Sequence, residues 1–109
     1  MRVVWSERAL ERVEEIAAFI EQDDPSAAVR WVEELFAEVE SLGDFPEMGK
    51  PGRDVVTPGI RELVVGDFRV FYEVGVDIAV HSVRRASQLI DEDEFGGAIY
   101  PGRQPGNAV

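Results

Sequence analysis

The chain contains no cysteine, one histidine, one lysine and no apolar run longer than a few residues. Without cysteine there is no disulfide framework, no zinc–thiolate site and no thiol nucleophile. A bilayer-spanning helix needs about 20 consecutive apolar residues, so none is expected. No basic segment followed by an apolar stretch and a small-residue cleavage site opens the chain, which argues against a secretory leader and for the cytoplasm. At 109 residues it is one domain, large enough to bury roughly two-thirds of the surface of its unfolded chain.

Positive charge is also scarce. Eleven basic residues face 22 acidic ones, a formal net charge of −11. Affinity for phosphates comes mainly from Lys and Arg releasing counterions, so direct nucleic-acid binding is not expected. The charge is unevenly spread: residues 1–54 carry 6 basic and 14 acidic groups, residues 55–90 carry 4 and 4, and residues 91–109 carry 1 and 4. Apart from Lys50 every basic residue is Arg, and this acid-rich surface suits a salt-adapted interior, where like charges are screened.

What is present reads as alternating periods. Residues 2–5 (RVVW) form a first strand. Ser6 caps a helix whose apolar residues, Ala9/Leu10, Val13, Ile16/Ala17 and Ile20, recur at three-to-four spacing. Asp24-Pro25 opens a second helix, the proline standing where an N–H would have no partner. Its stripe is Ala28, Val32, Leu35/Phe36, Val39 and Leu42, ended by Gly43. So short a link makes an antiparallel helical hairpin. Residues 43–59, with four glycines and three prolines, read as loop.

Three β-rich runs follow, 60–65, 68–74 and 78–83, separated by Gly66-Asp67 and by Gly75-Val76-Asp77. Glycine leading a two-residue loop fits a type II′ turn, which pairs Val65 with Phe68, Val64 with Arg69 and Glu62 with Phe71. Leu63, Val65, Phe68, Val70, Tyr72 and Val74 then share the face packed on the helices. Glu62, Val64, Arg69, Phe71 and Glu73 share the other, the only sheet surface on which polar chemistry is expected. The fold class is α+β, with a β-α-α-β-β-β order and the hairpin packed on a small antiparallel sheet. Residues 1–90 form the domain. Residues 91–109 form an acidic, Gly- and Pro-rich tail, expected to be flexible, in which Phe95, Ile99 and Tyr100 offer anchors to a partner.

Candidate chemistry is sparse. His81 alternates with Ala79 and Val83, and no local spacing places a serine and a carboxylate beside it as a triad requires. Asp91 to Glu94 is a run of adjacent acids without EF-hand spacing, and no metal or other cofactor is expected. Gly49, Gly52 and Gly59 match neither a Walker pattern nor GxGxxG. The arginines Arg61, Arg69, Arg84 and Arg85 remain, grouped in the charge-neutral half. Guanidinium groups bind phosphate or stabilise developing phosphorane charge. Alternatively, Arg69 pairs diagonally with Glu62 and Arg61 lies at the sheet rim.

The order of motifs adds a resemblance. D-P-x-A-A at Asp24 to Ala28, L-x-x-x-P-x-x-G at Leu42, Pro46 and Gly49, G-x-R-E-L at Gly59 to Leu63, F-R-V-F-Y at Phe68 to Tyr72 and the closing Arg84-Arg85 resemble the RelE/ParE toxin superfamily of type II toxin–antitoxin systems, most closely its ParE, or plasmid-stabilisation, branch. The resemblance implies neutralisation by an antitoxin whose C-terminal segment wraps the toxin. It also implies one of two modes of harm: mRNA cleavage in the ribosomal A site, or inhibition of DNA gyrase. In the nuclease pattern the phosphate-binding arginines fall on Arg69 and on Arg84 or Arg85. The pattern's strand lysines fall on Ile60 and Glu62, and no tyrosine follows Arg85 until Tyr100. The His-x-Arg common in ParE-type sequences has Val83 in place of its histidine. A carboxylate beside Arg69 repels a phosphodiester, so inhibition of a protein target is expected over catalysis. The alternatives are a ribosome-dependent mRNA endonuclease or a non-toxic relative that only binds its antitoxin. An apolar helical groove with an acidic rim further predicts an antitoxin segment carrying Leu, Ile or Val anchors and Lys or Arg flanks.

Overall fold

The computed structural model describes residues 1–86 and 92–95. Strand β1 (Val3–Trp5) leads into helix α1 (Glu7–Glu21). Ser6 makes that transition: its Oγ accepts from the Ala9 N–H at 3.0 Å and donates to the His81 carbonyl at 3.1 Å. Asp24 caps helix α2 (Pro25–Glu40) by accepting from the Ala27 N–H at 3.1 Å, and one 3-10 turn (Ser41–Gly43) follows. Strands β2 (Lys50–Pro51), β3 (Ile60–Val65), β4 (Phe68–Val74) and β5 (Ile78–Arg85) complete the order. Among the described residues no helix is long and apolar enough to cross a membrane.

The five strands form one sheet in the order β1-β5-β4-β3-β2. β3, β4 and β5 make the expected antiparallel meander, but β1 joins β5 in parallel, so the sheet is mixed rather than wholly antiparallel. The helical hairpin provides the crossover that a parallel pair requires. β2 lies within the segment read as loop. Lys50 pairs with Glu62 and Pro51 with Arg61. Two residues carry no periodicity, and proline, lacking an N–H, is confined to a sheet edge.

The β3–β4 register is as the turn predicts: Val65 opposite Phe68, Val64 opposite Arg69, Glu62 opposite Phe71. Gly66 has φ +59° and Asp67 does not have positive φ, the combination that separates II′ from I′. The β4–β5 pair departs from simple alternation. Phe71 faces Ser82 and Tyr72 faces Val80, leaving His81 as an extra residue in a β-bulge. His81 therefore does not share a face with Val83. Beyond the bulge Val83 joins Val80 on the helix-facing side, opposite Val70.

The main core lies between the helices and that side of the sheet. It contains Ala9, Val13, Leu35, Val39, Leu42, Leu63, Val65, Val70, Tyr72, Ile78, Val80 and Val83. Trp5 packs on Phe36 with ring centroids 4.5 Å apart, and Trp31 on Phe68 at 5.0 Å. Val74, expected on this face, is substantially exposed at the strand's end. The Leu-x-x-x-Pro-x-x-Gly motif closes one end of the core through Tyr72, whose hydroxyl donates to the Pro46 carbonyl at 2.8 Å and accepts from the Gly49 N–H at 3.0 Å. A Cβ on Gly49 would lie 2.4 Å from the Glu62 carbonyl oxygen, so only glycine permits this approach.

Candidate functional site

The sheet's other face was expected to display polar groups to solvent. Its polar residues are instead largely buried, with Glu62 3% and Arg69 4% exposed. Arg69 donates from Nε to Glu62 Oε2 at 3.2 Å and from Nη2 to Oε1 at 2.8 Å, a two-pronged pair, and a further Nη2 bond reaches the Arg53 carbonyl at 2.9 Å. Its guanidinium also stacks 4.9 Å over the Phe71 ring. Arg53, on the loop after β2, adds its N–H to Glu62 Oε1 at 2.7 Å and its Nε to Oε2 at 3.0 Å. Burial pushes the Glu62 pKa up, but the hydrogen bonds from Arg69 and Arg53 more than offset it, and the carboxyl titrates at about 2. The diagonal pair is thus formed, and Arg69 faces a permanent anion.

A second cluster lies along β5. Glu94, helical with its neighbours at 93–95, accepts from Ser82 Oγ, from Arg12 Nε at 3.1 Å and Nη2, and from Arg84 Nη2 at 2.5 Å, with Arg8 Nη1 at 3.6 Å. Burial works against its ionisation, yet the Ser82 and Arg12 hydrogen bonds and the nearby guanidinium charges hold its pKa below the usual carboxylate range. The same contact raises the pKa of Arg12. Phe95 enters an apolar patch of Ile60, Phe71 and Val55, 5.4 Å from the Phe71 centroid. Glu92 accepts from the N–H groups of Val56 and Thr57, each at 2.9 Å, and from the Thr57 hydroxyl. Of the residues assigned to the tail, Glu92, Glu94 and Phe95 thus pack on the body of the fold. The turn expected as far as Ile90, together with Asp91, Ile99 and Tyr100, lies outside the described residues.

The other expected residues occupy separate places. Arg61 at the rim ties down the loop before β2, donating to the Gly49 carbonyl at 2.6 Å and the Glu47 carbonyl at 3.3 Å. Arg84 is held by Glu94, and Arg85 is exposed, its guanidinium 5.5 Å from the Phe19 ring centroid and 5.9 Å from that of Phe68. Arg69 and Arg84 are opposed across β4–β5, but each is committed to a different carboxylate. His81 Nε2 lies 3.2 Å from Glu73 Oε1, and burial, partly countered by Glu73, lowers its pKa and keeps the ring neutral near pH 7. The adjacent Ser82 hydroxyl bonds Glu94, so no triad is assembled there. Arg53, Arg12 and Ser82 were not singled out from the sequence, and Glu94 was named only as the end of an acidic run. Their one local signal is the lone Phe95 within an acidic stretch.

The outer surface of the helical hairpin carries a groove of about 520 Å³. Small side chains, Ala17, Ala18 and Ala28, leave the trough between the helices; Val29 and Val32 make its apolar wall, and Glu14, Glu21 and Glu33 stand around it. Val29 is 58% exposed.

The family described as "ParE toxin of type II toxin-antitoxin system, parDE" matches residues 3–90. The candidate toxin Y4kP of Sinorhizobium fredii is 40% identical over 89 residues, spanning 80% of this chain and 90% of that protein. Toxin RelE2 of Caulobacter vibrioides is 37% identical over 83 residues, spanning 76% and 90%. A solved chain of the chromosomal ParDE system from P. aeruginosa superposes with a TM-score of 0.68 at 22% identity, covering 80% of this chain and 97% of that one, a likeness of fold.

Proposed function

The chain belongs to the ParE toxin family of type II toxin–antitoxin systems, and on that premise we propose that it arrests growth by binding and blocking a protein target until a cognate antitoxin covers it. DNA gyrase is the target that the family resemblance suggests. The observation that carries this reading is the closure of Arg69 on an ionised Glu62. Scission of a phosphodiester by its neighbouring 2′-hydroxyl needs a base and a cationic site open to the phosphate. Here the arginine that would supply that site is buried against a carboxylate that repels the same anion. Recognition without chemistry needs no such opening.

The helical groove supports the antitoxin half of the reading. An apolar trough with glutamates around it fits an amphipathic segment with Leu, Ile or Val anchors and Lys or Arg flanks. The cytoplasm, where gyrase and ribosomes both reside, is the corresponding place of action.

The test is inducible expression with and without the neighbouring antitoxin gene, combined with purified gyrase and translating-ribosome assays. Growth arrest, loss of supercoiling activity and intact mRNA are expected. Full supercoiling at growth-arresting levels removes gyrase as the target. Codon cleavage in the ribosome moves the chain to the endonuclease reading, and unaffected growth with antitoxin binding retained makes it a binding-only relative.

A further inference from the structure

The arginine cage around Glu94 is assembled from elements distant in sequence: Arg8 and Arg12 on α1, Ser82 and Arg84 on β5. Beside it lies the apolar socket of Ile60, Phe71 and Val55 that receives the next residue, Phe95, leaving it 1% exposed. Together the two read a short side-chain pattern, a carboxylate followed directly by an aromatic ring. We propose that this face of the sheet is a recognition site for an acidic–aromatic Glu-Phe segment of a partner protein, occupied in cis by the chain's own Glu94-Phe95 until such a segment displaces it.

The cage has unused capacity. Two partly buried guanidiniums, Arg12 and Arg84, surround one buried carboxylate. Arg84 offers Glu94 only Nη2, while its buried Nε has no hydrogen-bond partner among the described residues. A carboxylate approaching along the fork takes both donors, the stronger arrangement.

The occupant is also built to leave. Glu92, Glu94 and Phe95 contact the body through their side chains, contacts of the kind that open locally at a free energy below that of global unfolding. A tethered segment competes at an effective concentration on the order of millimolar. A partner presenting the same pair with additional flanking contacts exceeds that. The charge preference is opposite to that of the glutamate-rimmed helical groove, so a basic segment for one surface is disfavoured at the other. The inference stands on the sheet face alone and is independent of the gyrase and antitoxin readings.

The test uses the full chain and the peptide acetyl-Asp-Glu-Phe-Gly-amide, which has no counterpart of Glu92. Displacement of the clasp uncovers the Val56 and Thr57 amides that Glu92 holds. Their hydrogen exchange should accelerate at least fivefold at millimolar peptide, and peptides with Glu→Gln or Phe→Ala should have no effect. A full-length Glu94→Ala/Phe95→Ala variant, freed of the cis competitor, should bind the labelled peptide about tenfold more tightly than the parent chain. Adding Arg84→Ala should abolish that binding. Unchanged Val56 and Thr57 exchange in the folded parent chain at millimolar peptide, or equal acceleration by a scrambled peptide, overturns the proposal whether or not the variants fold.

Discussion

On one side of the sheet Leu63, Val65, Val70, Tyr72, Val80 and Val83 meet two helices; on the other, Ile60, Glu62, Arg69, Phe71, Ser82 and Arg84 meet a loop and the turn at Glu92–Phe95. Both surfaces are withdrawn from water by different means. The first is closed by apolar area, roughly 25 cal/mol per Å² and indifferent to direction. The second is closed by charges that must meet at hydrogen-bond distance. Losing one methylene on the first side leaves a small void. Losing one charge on the second leaves its partner buried and uncompensated, which costs far more than the intact pair contributes.

The largest test of that contrast is Arg69→Ala, expected to cost about 3–5 kcal/mol in denaturant unfolding because Glu62 loses its two-pronged partner. Replacing both residues, Arg69→Met with Glu62→Leu, should recover most of the loss. An Arg69→Ala cost below about 1 kcal/mol would mean that the charged side is no more demanding than ordinary protein surface.

Acid should separate the sides next. Glu62 titrates at about 2 when folded against an ordinary 4.5. A lowered folded pKa means that the unfolded chain binds the proton first, so the stabilisation is complete above pH 4.5 and is lost as pH falls toward 2. That difference corresponds to about 3 kcal/mol. His81 acts in the same direction at higher pH: its folded pKa lies below the ordinary 6.5, so its contribution declines as pH drops beneath that value. Unfolding free energies measured from pH 7 to 2 should fall in both windows. The Glu62→Leu/Arg69→Met chain should lose the Glu62 share of the lower one and keep the part that Glu94 contributes.

Tyr72→Phe sharpens the comparison from the apolar side. Its hydroxyl ties the loop before β2 to the core, and removing it leaves the Gly49 N–H and Pro46 carbonyl without that partner. A loss of about 1–3 kcal/mol is expected, with little pH dependence between pH 7 and 4. The smallest stability effect belongs to Val29→Lys in the helical groove, under about 0.5 kcal/mol because the site is exposed. The same change should weaken antitoxin capture at least tenfold, measured by calorimetry, by setting a cation where basic flanks are expected.

Much of the architecture was legible because its causes are local. Ser6 and Asp24-Pro25 mark the helix starts through side-chain and ring chemistry that needs no distant partner. Gly66 at the hairpin turn sets the register that places Val64 opposite Arg69. The bulge at His81 was not legible: the run from Ile78 to Val83 alternates smoothly as text, and only the mismatch with β4 reveals the extra residue. The same holds for β2, whose existence depends on β3 lying beside it. The arginines were visible as candidates, but their partners were only partly so. Glu62 lies across the same hairpin and was within reach of local reasoning, whereas the Glu94 cage gathers residues from Arg8 and Arg12 near the start of the chain to Ser82 and Arg84.

By itself the sequence determined the two amphipathic helices, their caps, the turn chemistry and the apolar side of the hairpin, since each follows from periodicity or steric preference within a few residues. Only the tertiary structure decided that β1 runs parallel to β5, that Val83 turns inward past the bulge, and that the second side of the sheet is covered rather than displayed. Those outcomes depend on which distant charge or ring arrives beside a given strand. A buried guanidinium is stable only where a carboxylate from elsewhere in the fold meets it.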